Sequence, residues 1–255
     1  MLVVISPAKR LDWTPVAAPE PSRPDFADAA VELADLARGL SAEDLGRLMH
    51  LSPKLAALNA ERFRDFAPEP LADAVRPAAF AFAGDTYAGL EARTLSEDAL
   101  RWADARLRIL SGLYGLLRPA DAIQPYRLEM GTKLANPRGR DLYAYWGDRI
   151  ARALNEAGAA ARTGWLVNCA SQEYFGAVDQ PALALQVVTP VFLEDRPGGP
   201  KVISFHAKKA RGAMARFVME HRLTEPAQLE TFDTGGYVHA PALSAPGRPA
   251  FLRAA

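Results

Sequence analysis

Hydrophobic and polar positions along this chain switch between two periods, and the switches mark its elements. Residues 1–5 form an unbroken apolar run closed by Ser6-Pro7, the pattern of a short buried strand, with Lys9 and Arg10 in the loop behind it. A proline-rich stretch, residues 16–24, predicts irregular chain. Phe26, Ala29, Ala30, Leu33 and Ala37 then recur at helical spacing. Ser41 followed by Asp44 has the layout of a helix-capping box, with Leu45, Leu48 and Met49 as the apolar face, and the pattern resumes after a short turn at Lys54, Leu55, Leu58 and Phe63. Residues 78–83 read as a buried strand running into a site loop at 84–90, which holds Asp85 and Tyr87 between glycines. Ser96 opens a further helix, followed by a strand that Gly112 and Gly115 interrupt. A loop at 123–131 gathers Tyr126, Arg127 and Glu129. Leu142, Tyr145, Trp146, Ile150 and Leu154 mark one long helix ending at Gly158, and residues 165–171 a buried strand with Asn168, Ser171, Glu173 and Tyr174 at its carboxyl side, where α/β sheets place ligands. Residues 181–195 and 201–205 predict two strands of a hairpin turning at Gly198-Gly199.

The most unusual pattern lies at residues 204–217. On a helix, Lys208, Lys209, Arg211 and Arg216 fall within one arc of roughly 160°, with Gly212 near its middle. Ala210, Ala213, Met214, Phe217 and Val218 occupy the other side. This helix is expected to bury its apolar face and present the basic one, with the glycine letting an anion approach the backbone. Cations in the first turns oppose the helix dipole, a misplacement that points to function. The same arc also describes a solvated surface helix.

Two further segments have alternative readings. The helix pair at about residues 41–66 is similar in layout to a helix-hairpin-helix, in which the N–H groups that open the second helix hold a phosphate. Ser52 and Pro53 suit that helix start and Lys54 adds charge, but the turn lacks glycine, and a plain pair of helices has the same pattern. Arg127 has the fork geometry for phosphate, or it pairs structurally with Glu129. Strands and helices interleave without a linker, so the expected fold is a single α/β domain, of mixed α+β character, over residues 1–255 around a mixed sheet.

Composition narrows the chemistry. The 255 residues carry 30 basic and 30 acidic side chains, so any polyanion site must come from local segregation of charge. One cysteine, Cys169, excludes a disulfide framework or a multi-cysteine metal site and fits a reducing compartment, so a cytoplasmic location is expected; within its strand Cys169 reads as a packing residue. No run approaches a membrane span, and no signal-peptide core is present. Neither a dinucleotide-binding glycine fingerprint nor a P-loop occurs, and no cofactor is expected. His50, His206, His221 and His239 are scattered without ligand-pair spacing.

MLVVISPAKRLD, FAGDTYAGL, LSGLYGLLRPADAIQPYRLEMG, DLYAYWGD, NCASQEYF, TPVFLED and ISFHAKKARGAMARF together resemble the YaaA family of bacterial peroxide-stress proteins, over nearly the whole chain. That resemblance implies a family-specific single-domain α/β fold with a helix-hairpin-helix element and a positively charged cleft that binds double-stranded DNA. It also implies a role in hydrogen peroxide stress and iron homeostasis, limiting iron-dependent damage. Carried over by residue, it makes Lys9, Arg127, Lys208, Lys209 and Arg211 contributors to the cleft, and Ser52 and Lys54 part of the hairpin; the helical arc adds Arg216.

Three functions are therefore compared. A DNA-binding monomer gripping the backbone comes first. A glycosylase- or lyase-like enzyme on damaged DNA would use a lysine with Asp85, Glu129 or Glu173. Direct iron binding lacks a local ligand pattern.

Overall fold

All four residues of strand β1 (Leu2–Ile5) are buried, and the molecule is layered around them. The computed structural model describes residues 1–15 and 17–254; Val16, which opens the proline-rich stretch, and Ala255 lie outside them. After β1 come a two-residue strand β2 (Arg10–Leu11) and the helices α1 (Ala27–Arg38), α2 (Ala42–Met49) and α3 (Pro53–Asp65). Ser41 caps α2 as its sequence predicts: its hydroxyl accepts from the Asp44 N–H at 3.1 Å and the Asp44 carboxylate accepts from the Ser41 N–H at 3.2 Å.

The next segment departs from expectation. Strand β3 (Arg76–Pro77) leads into one helical turn, α4 (Ala78–Ala81), before strand β4 (Phe82–Ala83), where a single strand was expected. Ala78 to Ala81 are buried on all sides, so no alternation distinguishes strand from helix there. Pro77 suits a helix start, and the Ala78 and Ala79 N–H groups are taken by the Asp121 and Pro119 carbonyls rather than by a ladder. The expected site loop at 84–90 is itself mostly helix, α5 (Asp85–Leu90). There follow α6 (Glu97–Arg106), β5 (Leu107–Ser111), β6 (Gly115–Leu117) and β7 (Ala122–Ile123). The one long helix expected near residue 150 is two, α7 (Leu142–Trp146) and α8 (Arg149–Ala160). Gly147, at φ 52°, turns the chain between them.

Strand β8 (Trp165–Cys169), the short helix α9 (Gln172–Phe175) and β9 (Gln186–Val188) complete the central sheet, whose order is β6-β5-β1-β8-β9. Within it β1 runs parallel to β5 and β8, β8 parallel to β9, and β6 antiparallel to β5. The sheet is mixed and the architecture is α/β, as the interleaved pattern predicts. Strand β10 (Val191–Glu194) leaves this sheet, because Pro190 offers no N–H to continue the ladder. It joins β11 (Tyr237–His239) and β12 (Ala250–Arg253) in a small sheet of order β10-β12-β11, held by buried Glu194, which accepts from Arg253 at 2.7 and 2.9 Å and from the Tyr237 hydroxyl. The expected hairpin over 181–205 therefore reduces to a single Lys201–Glu194 bridge.

Between β10 and β11 lies α10 (Ser204–Glu220), which takes in the last two residues, Ser204 and Phe205, of the strand expected over 201–205. Lys208 thus sits beyond the first turn, and the expected conflict with the helix dipole is weak, since that effect is confined to the terminal turn. Gly212 does serve a close approach, but the partner is α5 and not an anion. A Cβ on Gly212 would lie 1.8 Å from the Thr86 carbonyl oxygen, and one on Gly89 2.0 Å from that of Lys209. The two glycines let the helix backbones touch.

Candidate functional site

The carboxyl ends of the parallel strands β1 and β8 open into a cavity of about 440 Å³. Its walls come from the chain after each strand, the loop at 126–129, the start of α5 and one flank of α10. Ser6 and Ser171 tie the two strand ends together, the Ser171 N–H donating to Ser6 Oγ at 2.9 Å. The Tyr87 hydroxyl donates to the Ser6 carbonyl at 3.2 Å. Tyr126 and Tyr174 line the cavity and Tyr87 is buried against its Ser6 wall, and burial pushes all three phenols upward, so they remain neutral hydroxyls.

The loop carrying Arg127 and Glu129 is fastened to the sheet. The Tyr126 hydroxyl bonds Ser111 Oγ at 2.6 Å, and the Gly131 N–H donates to the Glu173 carboxylate at 2.9 Å. Gly112 makes room for the loop: a Cβ there would stand 2.3 Å from the Leu128 carbonyl oxygen. So held, Glu129 receives Lys9 at 2.6 Å and Arg127 at 3.0 Å, one carboxylate between two cations. The structural pairing of Arg127 with Glu129 is therefore present, and Arg127 also lines the cavity.

Lys208 and Arg211 line the same cavity, and among the described residues neither has an ion-pair or side-chain hydrogen-bond partner. Burial pushes the Cys169 thiol up to about 12, with the positive charge of Arg211 pulling the other way. Cys169 is thus a protonated packing group at the cavity floor. Of the residues singled out from sequence, the fold brings Lys9, Arg127, Lys208 and Arg211 together, with Asp85, Glu129 and Glu173 among them.

The others lie elsewhere. Lys209 is exposed and does not line the cavity. Arg216 is turned to the far side of α5, donating to the Leu90 carbonyl at 3.2 Å, the Glu91 carbonyl at 3.0 Å, Thr94 Oγ1 at 2.7 Å and the Glu220 carboxylate at 2.7 Å. Ser52 and Lys54 are exposed at the start of α3, outside the cavity, and the Ser52 side chain makes no capping bond. Helices α2 and α3 form a hairpin, but its turn is made by His50, in the left-handed region at φ 52°, with Leu51 and Ser52.

A wider groove of about 1030 Å³ adjoins the cavity and shares Lys9, Arg127, Glu129 and Glu173 with it. The carboxyl end of α2, from Arg47 to His50, forms part of its wall, with Leu36 of α1 and Leu40 of the following turn beside it. Lys133 and Arg10, unremarked as site residues from sequence, line the groove and the cavity respectively. Lys133 follows the Arg127–Glu129 loop at short range, a signal that was available. Among the described residues no three His, Cys, Asp or Glu side chains are gathered to hold a metal ion, and no helix is long and apolar enough to cross a membrane.

Comparison with known proteins matches residues 1–243 to the family model described as peroxide stress protein YaaA. A UPF0246 protein of Jannaschia sp. (strain CCS1) is 62% identical over 253 residues, 99% of this chain and 97% of the relative. Another, from Ruegeria pomeroyi, is 60% identical over 255 residues, covering 99% and 98%.

Proposed function

The chain belongs to the peroxide stress protein YaaA family, and from that premise we propose that it serves the peroxide-stress response by binding double-stranded DNA along the cavity and its adjoining groove. The observation that carries this reading is the pair Lys208 and Arg211, unpartnered cations beside Lys9 and Arg127 in a chain with 30 basic and 30 acidic residues. Charge that is globally balanced leans positive here, with Lys9, Arg10, Arg127, Lys208 and Arg211 against Asp85, Glu129 and Glu173, and cations without protein partners suit phosphate oxygens. Helix α2 walls the groove, and Lys54, exposed in the first turn of α3, would add a second backbone contact. DNA so covered would be spared iron-dependent damage.

Each phosphate contact releases counterions, so affinity for a short duplex falls with salt at a log–log slope of about −0.9 per phosphate neutralised. The double variant Lys208→Ala/Arg211→Ala is expected to weaken binding to unrelated duplex sequences alike and to flatten that slope by about 2, measured by fluorescence anisotropy across a salt series. Unchanged affinity and slope would remove these residues as the contact and the reading with them.

One observation favours a second reading, a lyase-like enzyme acting on damaged DNA: Lys208 shares the cavity with the carboxylates of Asp85, Glu129 and Glu173. Borohydride reduction in the presence of an abasic duplex separates the two, because an amine that attacks the sugar aldehyde leaves a covalent adduct and a pure binder leaves none.

A further inference from the structure

The cavity is chemically richer than a backbone trough requires. Phosphates need donors and positive charge, yet three carboxylates, Asp85, Glu129 and Glu173, line the same space. A carboxylate accepts hydrogen bonds only and repels phosphate. Glu129 is held by Lys9 and Arg127 and Glu173 accepts from the Gly131 N–H, whereas Asp85 has no ion-pair or side-chain hydrogen-bond partner among the described residues and keeps its oxygens for a ligand's N–H or O–H groups. Two buried tyrosines, Tyr126 and Tyr174, line the cavity, with the Phe82 ring behind, 6.2 Å from that of Tyr126. The unpartnered cations Lys208 and Arg211, the unpartnered acceptor Asp85 and two buried tyrosine rings in one space describe one ligand with a phosphate end and a flat, donor-bearing body. The volume, about 440 Å³, lies within the range of about 300–1,000 Å³ typical of small-molecule pockets and is far too small for a duplex.

We infer that the cavity receives a single nucleotide, its phosphate on Lys208 and Arg211 and the hydrogen-bond donors of its base or sugar on Asp85. This deepens the proposed DNA contact and rests on it for one of two sources. The shared wall of Lys9, Arg127, Glu129 and Glu173 opens the cavity into the groove, so a nucleotide turned out of a duplex lying in the groove reaches it with its strand still outside. A free nucleotide presents the same chemistry.

The experiment has two arms. In the first, adenosine, guanosine, cytidine and thymidine 5′-monophosphates and inorganic phosphate are titrated into the full chain by calorimetry, with Arg211→Met and Asp85→Asn alongside. Nucleotides are expected to bind at least tenfold more tightly than inorganic phosphate, to lose at least tenfold in Arg211→Met, and to lose severalfold in Asp85→Asn while phosphate binding does not weaken. In the second, a duplex with 2-aminopurine opposite an abasic site is added, and its fluorescence is expected to rise on binding to the parent but not to Arg211→Met. Thermal melts verify folding, and Lys208→Met substitutes if Arg211→Met is unfolded.

Nucleotide binding with a fluorescence rise supports the inference with DNA as the source. Binding of nucleotides without a rise supports it with the free nucleotide as the source, and if the duplex is also not bound, the DNA reading alone falls. A duplex that binds without a rise, together with nucleotides no tighter than phosphate, overturns the inference and leaves DNA binding standing.

Discussion

The two flanks of α5 divide a single basic arc into unlike halves. On one side Lys208 and Arg211 face the cavity without protein partners; on the other Arg216, of the same arc, is spent on the carbonyls that end α5. The helical wheel makes these cations equivalent, but α5 packed onto Gly212 separates them. A basic stripe on a helix therefore does not define a ligand surface until the neighbouring element is known. What distinguishes binding charge from structural charge here is whether backbone acceptors already occupy it.

The strongest way to break this contrast is to remove the contact that creates it. Gly212→Ala places a Cβ against backbone that cannot swing aside, and a loss of about 3 kcal/mol or more is expected in denaturant unfolding. An alanine tolerated at no cost would show that α5 does not bear on the arc. Next in size, Arg216→Ala leaves the end of α5 short of donors and is expected to cost about 1–3 kcal/mol while folded protein keeps its duplex affinity and salt slope. A flattened salt slope in this variant would put Arg216 on the ligand side and erase the division. Glu129→Gln sharpens the picture at the cavity mouth, since Lys9 and Arg127 both lean on that carboxylate. Severalfold tighter duplex binding is expected, with a salt slope steeper by about 1, read from the same anisotropy series. Smallest of all, Lys208→Ala and Arg211→Ala singly should each change unfolding free energy by no more than about 0.5 kcal/mol, because neither has a partner to lose. A large destabilisation by either would reveal a structural role like that of Arg216.

Much of the scaffold could be read from the chain. The apolar runs of β1 and β8, the Ser41–Asp44 cap and the amphipathic course of α10 follow from local rules that tertiary packing did not overturn. Where every residue is buried, as at Ala78–Ala81, the periodic signal vanishes and helix cannot be told from strand. A break such as Gly147 leaves the apolar spacing of the flanking helices nearly in phase, so two helices look like one. At the site, the helical arc offered Lys208 and Arg211 and a loop offered Arg127, but only the family resemblance joined Lys9 to them, and these four line one cavity. Gly212 is expected from sequence to admit an anion and instead admits the backbone of α5, a partner distant in the chain. The separation of Arg216 from Arg211, and of Ser52 and Lys54 from the cavity, depends on packing between segments far apart in the chain.

The seating of the Arg127–Glu129 loop on Gly112 has a kinetic consequence. With Tyr126 tied to Ser111, Leu128 pressed onto Gly112 and Gly131 bonded to Glu173, the conformational entropy of this loop is surrendered during folding rather than at encounter. Its guanidinium and carboxylate stand ready before a ligand arrives. Association then need not wait for loop ordering, and its rate is set by diffusion and electrostatic steering.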